Sequence, residues 1–133
     1  MNIEIKDIPK ISDPRGNIGV LENGIVPFDI KRVYYLYDVP SDSERGGHAH
    51  IKLYQFLIAI SGSFDVHLDD GKTQQVINLN KPDKGVLIKP GIWRELKNFA
   101  GGSVCLVLAS EVFDEADYIR EYNDFKLFVN SFS

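Results

Sequence analysis

Two of the three histidines in this chain stand two residues apart, in Arg45-Gly46-Gly47-His48-Ala49-His50. On an extended backbone, side chains at i and i+2 leave the same face, so both imidazoles point into one place. Imidazole has the unperturbed pKa nearest neutrality, and it takes and returns a proton at comparable cost. Two imidazoles in contact disfavour double protonation, which keeps one neutral and able to act as a base. The chemistry this pair suits is proton transfer at carbon. The strand-forming stretch 30–39 adds aromatic hydroxyls at Tyr34, Tyr35 and Tyr37. Arginine makes bidentate contacts to phosphate, which makes Arg15, Arg32, Arg45 and Arg94 candidates for holding an anionic substrate. Lys52 shares the even-numbered face of the histidines if their strand runs on unbent, and a solvated lysine is the plainer alternative. The third histidine, His67, has no supporting pattern and reads as a surface or packing residue.

The elements that must position these groups are short strands. Residues 1–11 alternate loosely, with Ile3, Ile5, Ile8 and Ile11 between charges, as a strand exposed on one face and in need of a sheet. Asp13-Pro14-Arg15-Gly16-Asn17 is a turn that displays Arg15. A short strand follows at 18–22. Alternation over 30–39 puts Arg32, Tyr34 and Leu36 on one face and Val33, Tyr35 and Tyr37 on the other. After the histidines, 54–60 and 63–68 flank Ser61-Gly62 and read as a hairpin. Asp69-Asp70-Gly71 is a strong turn signal before a strand at 73–79. Further strands are expected at 85–89, 93–97 and 103–109. Short strands at even spacing predict a β-sandwich or barrel. From 114 to 129 the apolar positions Ile119, Tyr122, Phe125 and Val129 recur at helical spacing after an acidic start, which predicts a C-terminal helix packed on the barrel.

Composition narrows the function classes. The chain has 133 residues, enough for one domain, spanning 1–133, with a core of its own. Its net charge of -4, with both signs mixed along the chain, offers no basic field for nucleic acid. No apolar run approaches the roughly 18 residues of a membrane span, and no signal-peptide pattern opens the chain. The single cysteine, Cys105, lies in an apolar run and reads as a small buried hydrophobe. A cytoplasmic location is the default expectation.

By spacing, His48-x-His50, then Gln55, then Gly62 resembles the first motif of the cupin superfamily. Gly85, Pro90-Gly91, Arg94 and Asn98 resemble the second. The resemblance implies an all-β, cupin-type double-stranded β-helix, or jelly roll, with the C-terminal α-helix appended. In metal-binding cupins the positions of Gln55 and Arg94 hold a carboxylate and a third histidine. An amide is a poor ligand and a guanidinium cannot ligate, so no metal is expected.

Five segments in register carry a closer resemblance: Asp13-Pro14-Arg15-Gly16, Ile30-Lys31-Arg32-Val33-Tyr34-Tyr35, Arg45-Gly46-Gly47-His48-Ala49-His50, Asp69-Asp70-Gly71 and Asp117-Tyr118-Ile119-Arg120-Glu121-Tyr122. Together they resemble the dTDP-4-oxo-6-deoxyglucose 3,4-oxoisomerases of the cupin superfamily. The resemblance implies an isomerase that moves a ketone from C4 to C3 of a dTDP-linked 4-oxo-6-deoxyhexose through an enediol. It implies no cofactor, since only protons move, and a product that feeds biosynthesis of 3-amino sugars of surface polysaccharide. On matching positions, His48 would carry the proton from C3 to C4, while His50 and a strand tyrosine would move the hydroxyl proton. Tyr34 is the choice and Tyr35 the alternative. Arg15, Arg32, Arg45, Lys52, Gln55 and Arg94 are the substrate-binding candidates, and Asn17 and Arg94 are the places to seek control of the C4 configuration. The family also implies a homodimer in which the N-terminal strand joins the partner's sheet. Two alternatives stand beside this reading: a non-catalytic sugar-nucleotide-binding cupin module, which would tolerate loss of His48, and a sugar-nucleotide epimerase.

Overall fold

In the computed structural model, residues 1–43 and 45–131 are described, apart from the side chains of Arg45 and Gly46. The β-branched and aromatic stretches pair into two antiparallel five-stranded sheets and a separate hairpin. The first sheet runs in the order β1 (Glu4–Asp7), β9 (Lys84–Ile88), β6 (Gln55–Ser61), β11 (Val104–Ala109), β4 (Arg32–Leu36). The second runs β12 (Tyr118–Ile119), β5 (Arg45–His50), β10 (Trp93–Lys97), β7 (Phe64–Asp69), β8 (Gln74–Leu79). The hairpin is β2 (Lys10–Asp13) with β3 (Gly16–Gly19).

The sheets face one another over a core that includes Leu57, Phe64, Val66, Leu68, Val86, Ile88, Phe99 and Val107. β6 is buried on both faces, which is why its sequence is a continuous apolar run. Leu57 and Ala59 enter the inter-sheet core, while Phe56 and Ile58 enter a second cluster with Ile8, Val26, Leu87 and Leu108. This is the jelly-roll architecture expected, with one C-terminal α-helix.

Four local expectations are corrected. The strand expected over 1–11 is two strands, because Pro9 has no N–H to continue the ladder and Ile8 turns into the core between them. The strand expected at 18–22 lies earlier, as β3. The segments flanking Ser61-Gly62 are not a hairpin: β6 belongs to the first sheet and β7 to the second, so this turn carries the chain across the sandwich. Gly62 sits at φ +72° with the Ser103 side chain packed against the position a Cβ would take, so this corner requires glycine.

The helix expected over 114–129 is confined to α1 (Tyr122–Asn130). Before it, Asp114 caps a single 3-10 turn over Glu115–Asp117, and Tyr118 and Ile119 then pair with His50 and Ala49. The helical spacing at Phe125 and Val129 is real: both pack with Ile119 against Ala49 and Trp93 on the outer face of the second sheet.

Candidate active site

One end of the sandwich is open between the sheets, and a cavity of about 300 Å³ lies there. The first sheet lines it with Tyr34, Leu36, Gln55, Leu57 and Val107, the second with His48, Arg94, Leu96 and Tyr118, and Arg120 stands at its mouth. Strand alternation does this work. Tyr34 and Leu36 face in while Val33, Tyr35 and Tyr37 face solvent, at 55%, 59% and 61% exposure. On β5, His48 and His50 share the inner face and Ala49 packs outward under the helix.

The two imidazoles touch, Nε2 to Nε2 at 3.0 Å, with their rings edge to face. They are not equivalent. His48 is half-buried and lines the cavity, whereas His50 is fully buried behind it. Burial, with the charges of Arg94, Arg32 and Arg120, pushes the His50 imidazole down to about 3, so it is neutral. Its Nδ1 lies 3.0 Å from Asp117 Oδ2. In this structure both ring nitrogens of His50 are engaged, Nε2 with His48 and Nδ1 with Asp117, and the ring has no exposed surface.

Arg94 is the most deeply set charge. It is 2% exposed, donates to Gln55 Oε1 through Nη1 and to the Ile92 carbonyl through Nε and Nη2. Burial pushes it down to about 10, which leaves it cationic at neutral pH. Gln55 in turn donates from Nε2 to the Tyr34 hydroxyl at 2.8 Å. With Gln55 acting as donor, the Tyr34 O–H proton remains to be given or exchanged on the cavity side. Burial is the main cause that holds the Tyr34 phenol above its usual pKa.

This donor set does not fit a divalent cation. A guanidinium occupies the place of one ligand, an amide committed to that guanidinium replaces another, and one of the two histidines has both nitrogens in use.

The other expected residues fall in three places. Arg32 stands beside Tyr34, its guanidinium 4.9 Å from the Tyr34 ring centroid, and its Nε and Nη2 are buried without a hydrogen-bond partner. Arg15 and Asn17 are on the exposed β2–β3 hairpin, where Arg15 pairs with Asp13 at 2.8 Å and is not brought to the cavity. Lys52 is turned away, because the strand ends at His50 and bends at 51–52, so the even-numbered face is lost and Lys52 lines a different cleft. The Arg45 side chain lies outside the described residues. His67 lies on β7 opposite Glu95, away from the cavity.

Three functional candidates were missed. Tyr118 packs against both imidazoles, with centroids 5.0 Å from His48 and 4.4 Å from His50. Arg120 stacks on Tyr118 at 4.2 Å and holds Glu115 with two hydrogen bonds. Asp117 lies behind His50. All three sit in the segment expected to be helix, and the signal that could have found them is the stretch Asp117-Tyr118-Ile119-Arg120-Glu121-Tyr122, one of the five that carry the family resemblance.

A jelly roll whose open end gathers imidazoles, tyrosines and a buried arginine, at the positions where cupins gather metal ligands, defines a cupin-type protein furnished for proton transfer beside an anion. The comparison with known proteins narrows this class. The chain belongs to the FdtA family (WxcM-like, C-terminal), whose family model matches residues 1–130. It is 43% identical over 130 residues to TDP-4-oxo-6-deoxy-alpha-D-glucose-3,4-oxoisomerase of Aneurinibacillus thermoaerophilus, covering 97% of this chain and 94% of that one. Its fold matches a mutant of the 3,4-ketoisomerase QdtA from Thermoanaerobacterium thermosaccharolyticum in complex with TDP-4-keto-6-deoxyglucose, at TM-score 0.95 and 40% identity over 98% and 95% of the two chains. It also matches the WlaRB TDP-quinovose 3,4-ketoisomerase from Campylobacter jejuni, at TM-score 0.90 and 49% identity over 95% and 98%.

Proposed function

We propose that this chain is a TDP-sugar 3,4-ketoisomerase that converts dTDP-4-oxo-6-deoxy-D-glucose to the 3-oxo sugar by proton transfers alone. The observation that carries the reading is the cavity itself: His48, Tyr34 and a fully buried Arg94 converge on one space between the sheets. The C4 carbonyl acidifies the C3 hydrogen. His48 takes that proton as O4 gains one, giving the enediol, and His48 then returns its proton to C4 as the O3 proton leaves and the C3 carbonyl forms. Tyr34 is the group we assign to the hydroxyl proton, since it faces the cavity and Tyr35 faces solvent. Arg94, held by Gln55 and Ile92, supplies a fixed positive charge beside the enediol oxygens.

Arg32 is the group we assign to the diphosphate. Two buried N–H donors without a partner are costly unless a ligand completes them, and phosphate oxygens suit that need. Arg15 and Lys52 have no route to this cavity within one chain. Arg15 sits on the hairpin that a dimer would use, and we keep it as a candidate only in that setting. We further propose that one domain spanning 1–133 does this chemistry as a homodimer, and that an aminotransferase consumes the product for a surface polysaccharide. The compartment we assign is the cytoplasm, consistent with a sole cysteine that is buried and unpaired.

The test uses chelator-treated protein and TDP-4-keto-6-deoxyglucose in deuterated buffer, followed by NMR. A ketone at C3 and a hydrogen or deuterium newly at C4 is the expected result, and it also gives the C4 configuration. His48→Asn should lower kcat about a hundredfold or more while TDP binding is kept. Tight binding of the substrate with neither isomerisation nor exchange at C3 would transfer the chain to the binding-module reading.

A further inference from the structure

The Asp117 carboxylate is buried and collects donors. Oδ1 accepts from the Lys52 amide at 2.8 Å, Oδ2 accepts from the Leu53 amide at 3.3 Å, and Oδ2 also lies 3.0 Å from His50 Nδ1. Its backbone carbonyl accepts from the Ile51 amide. Both carboxylate oxygens already act as acceptors toward backbone N–H groups, so in the contact with His50 the carboxylate accepts and the proton sits on Nδ1. A neutral imidazole with its proton on Nδ1 has a lone pair on Nε2. That lone pair faces His48 Nε2 at 3.0 Å, and the contact is a hydrogen bond only if His48 carries its proton on Nε2.

From this chain of contacts we infer that Asp117 is a positioning residue that sets the ring tautomers of both histidines. Neutral His48 is the Nε2–H form, and a proton it takes up goes to Nδ1. The imidazolium then formed donates to neutral His50, with the Asp117 charge behind it, so the cation is stabilised without a second proton transfer. Burial first, and then the cationic groups around His50, keep that ring neutral and therefore able to accept. The kinetic consequence rests on the isomerase reading; the tautomer assignment does not.

Histidine-selective 15N NMR distinguishes the two tautomers through couplings between ring nitrogens and ring protons. The chain has three histidines, so His67→Gln leaves the two rings of interest alone in the spectrum. In the otherwise unaltered protein at neutral pH the expected result is Nδ1–H for His50 and Nε2–H for His48. Asp117→Asn is nearly isosteric. Its oxygen can keep the Lys52 amide, and its NH2 group then donates to His50 Nδ1. Both tautomers should invert, and kcat should fall about a hundredfold or more while KM changes less than about threefold. A spectrum with Nε2–H on His50 before any change at Asp117 overturns the inference, and so does an inverted Asp117→Asn protein that keeps its kcat. Loss of kcat in Asp117→Asn with both tautomers unchanged also overturns it, by assigning the loss to the bend at 51–53. If the tautomers are as expected but no isomerisation is found, the isomerase reading fails and the assignment stands.

Discussion

His50 illustrates how far a residue's surroundings depart from its type. An ordinary histidine titrates near 6.5, yet burial and three nearby guanidinium groups push this one down to about 3. A group whose cation is disfavoured by folding binds its proton more readily in the unfolded chain. Stability is therefore whole above pH about 6.5 and is lost as pH falls toward 3, by up to about 1.4 kcal/mol per unit. Urea denaturation at pH 7, 6 and 5 should show this slope, before the carboxylates begin to titrate, and His50→Gln should flatten it. A flat profile in the unaltered protein would mean that His50 is solvated. The sequence reading reached His48, Gln55 and Arg94 because they stand at the spacings of the two cupin motifs, and alternation put Tyr34 and Tyr35 on opposite faces. It did not reach Asp117, whose contact with His50 spans 67 positions and owes nothing to local pattern.

At the level of elements, apolar patterning revealed where strands lie but not which sheet each joins. The segments around Gly62 have the look of a hairpin because a crossing between sheets uses the same turn residues. The acidic start at 114–117 has the look of a helix N-terminus because capping of a 3-10 turn and capping of an α-helix call for the same side chains. One element-scale expectation follows from the pairing of β6 with β9. Gly85 lies opposite Ile58, and the Phe56 ring packs against the place where a Cβ would stand. Phe56 is fully buried and cannot swing away. Gly85→Ala should cost about 1–3 kcal/mol by overpacking and lower Tm, while Gly101→Ala, which meets nothing within 4 Å, should have little effect on packing. Equal Tm values for the two variants would show that the Phe56 ring is not fixed on Gly85.

For the whole molecule, the unexplained surface is at the N-terminal side. Every residue of the β2–β3 hairpin is exposed, including the cross-strand pair Ile11 and Ile18 at 57% and 60%. β4 is an edge strand of the first sheet, and its outer face presents Val33, Tyr35 and Tyr37. An exposed edge and an unpacked hairpin in one chain are what a second copy would cover, and the proposed homodimer would use both. In the structure β1 pairs with β9 of the same chain, and the exposed hairpin is the element we expect to reach across. Such a crossing would also give Arg15, stranded on the hairpin tip, a cavity to serve. Sedimentation at micromolar concentration should give a dimer, and Ile18→Asp should shift it to monomer with the far-UV spectrum unchanged. If the monomer that results retains full kcat/KM, the dimer is real but Arg15 takes no part in the site; if the unaltered protein sediments as a monomer, the hairpin serves no second copy.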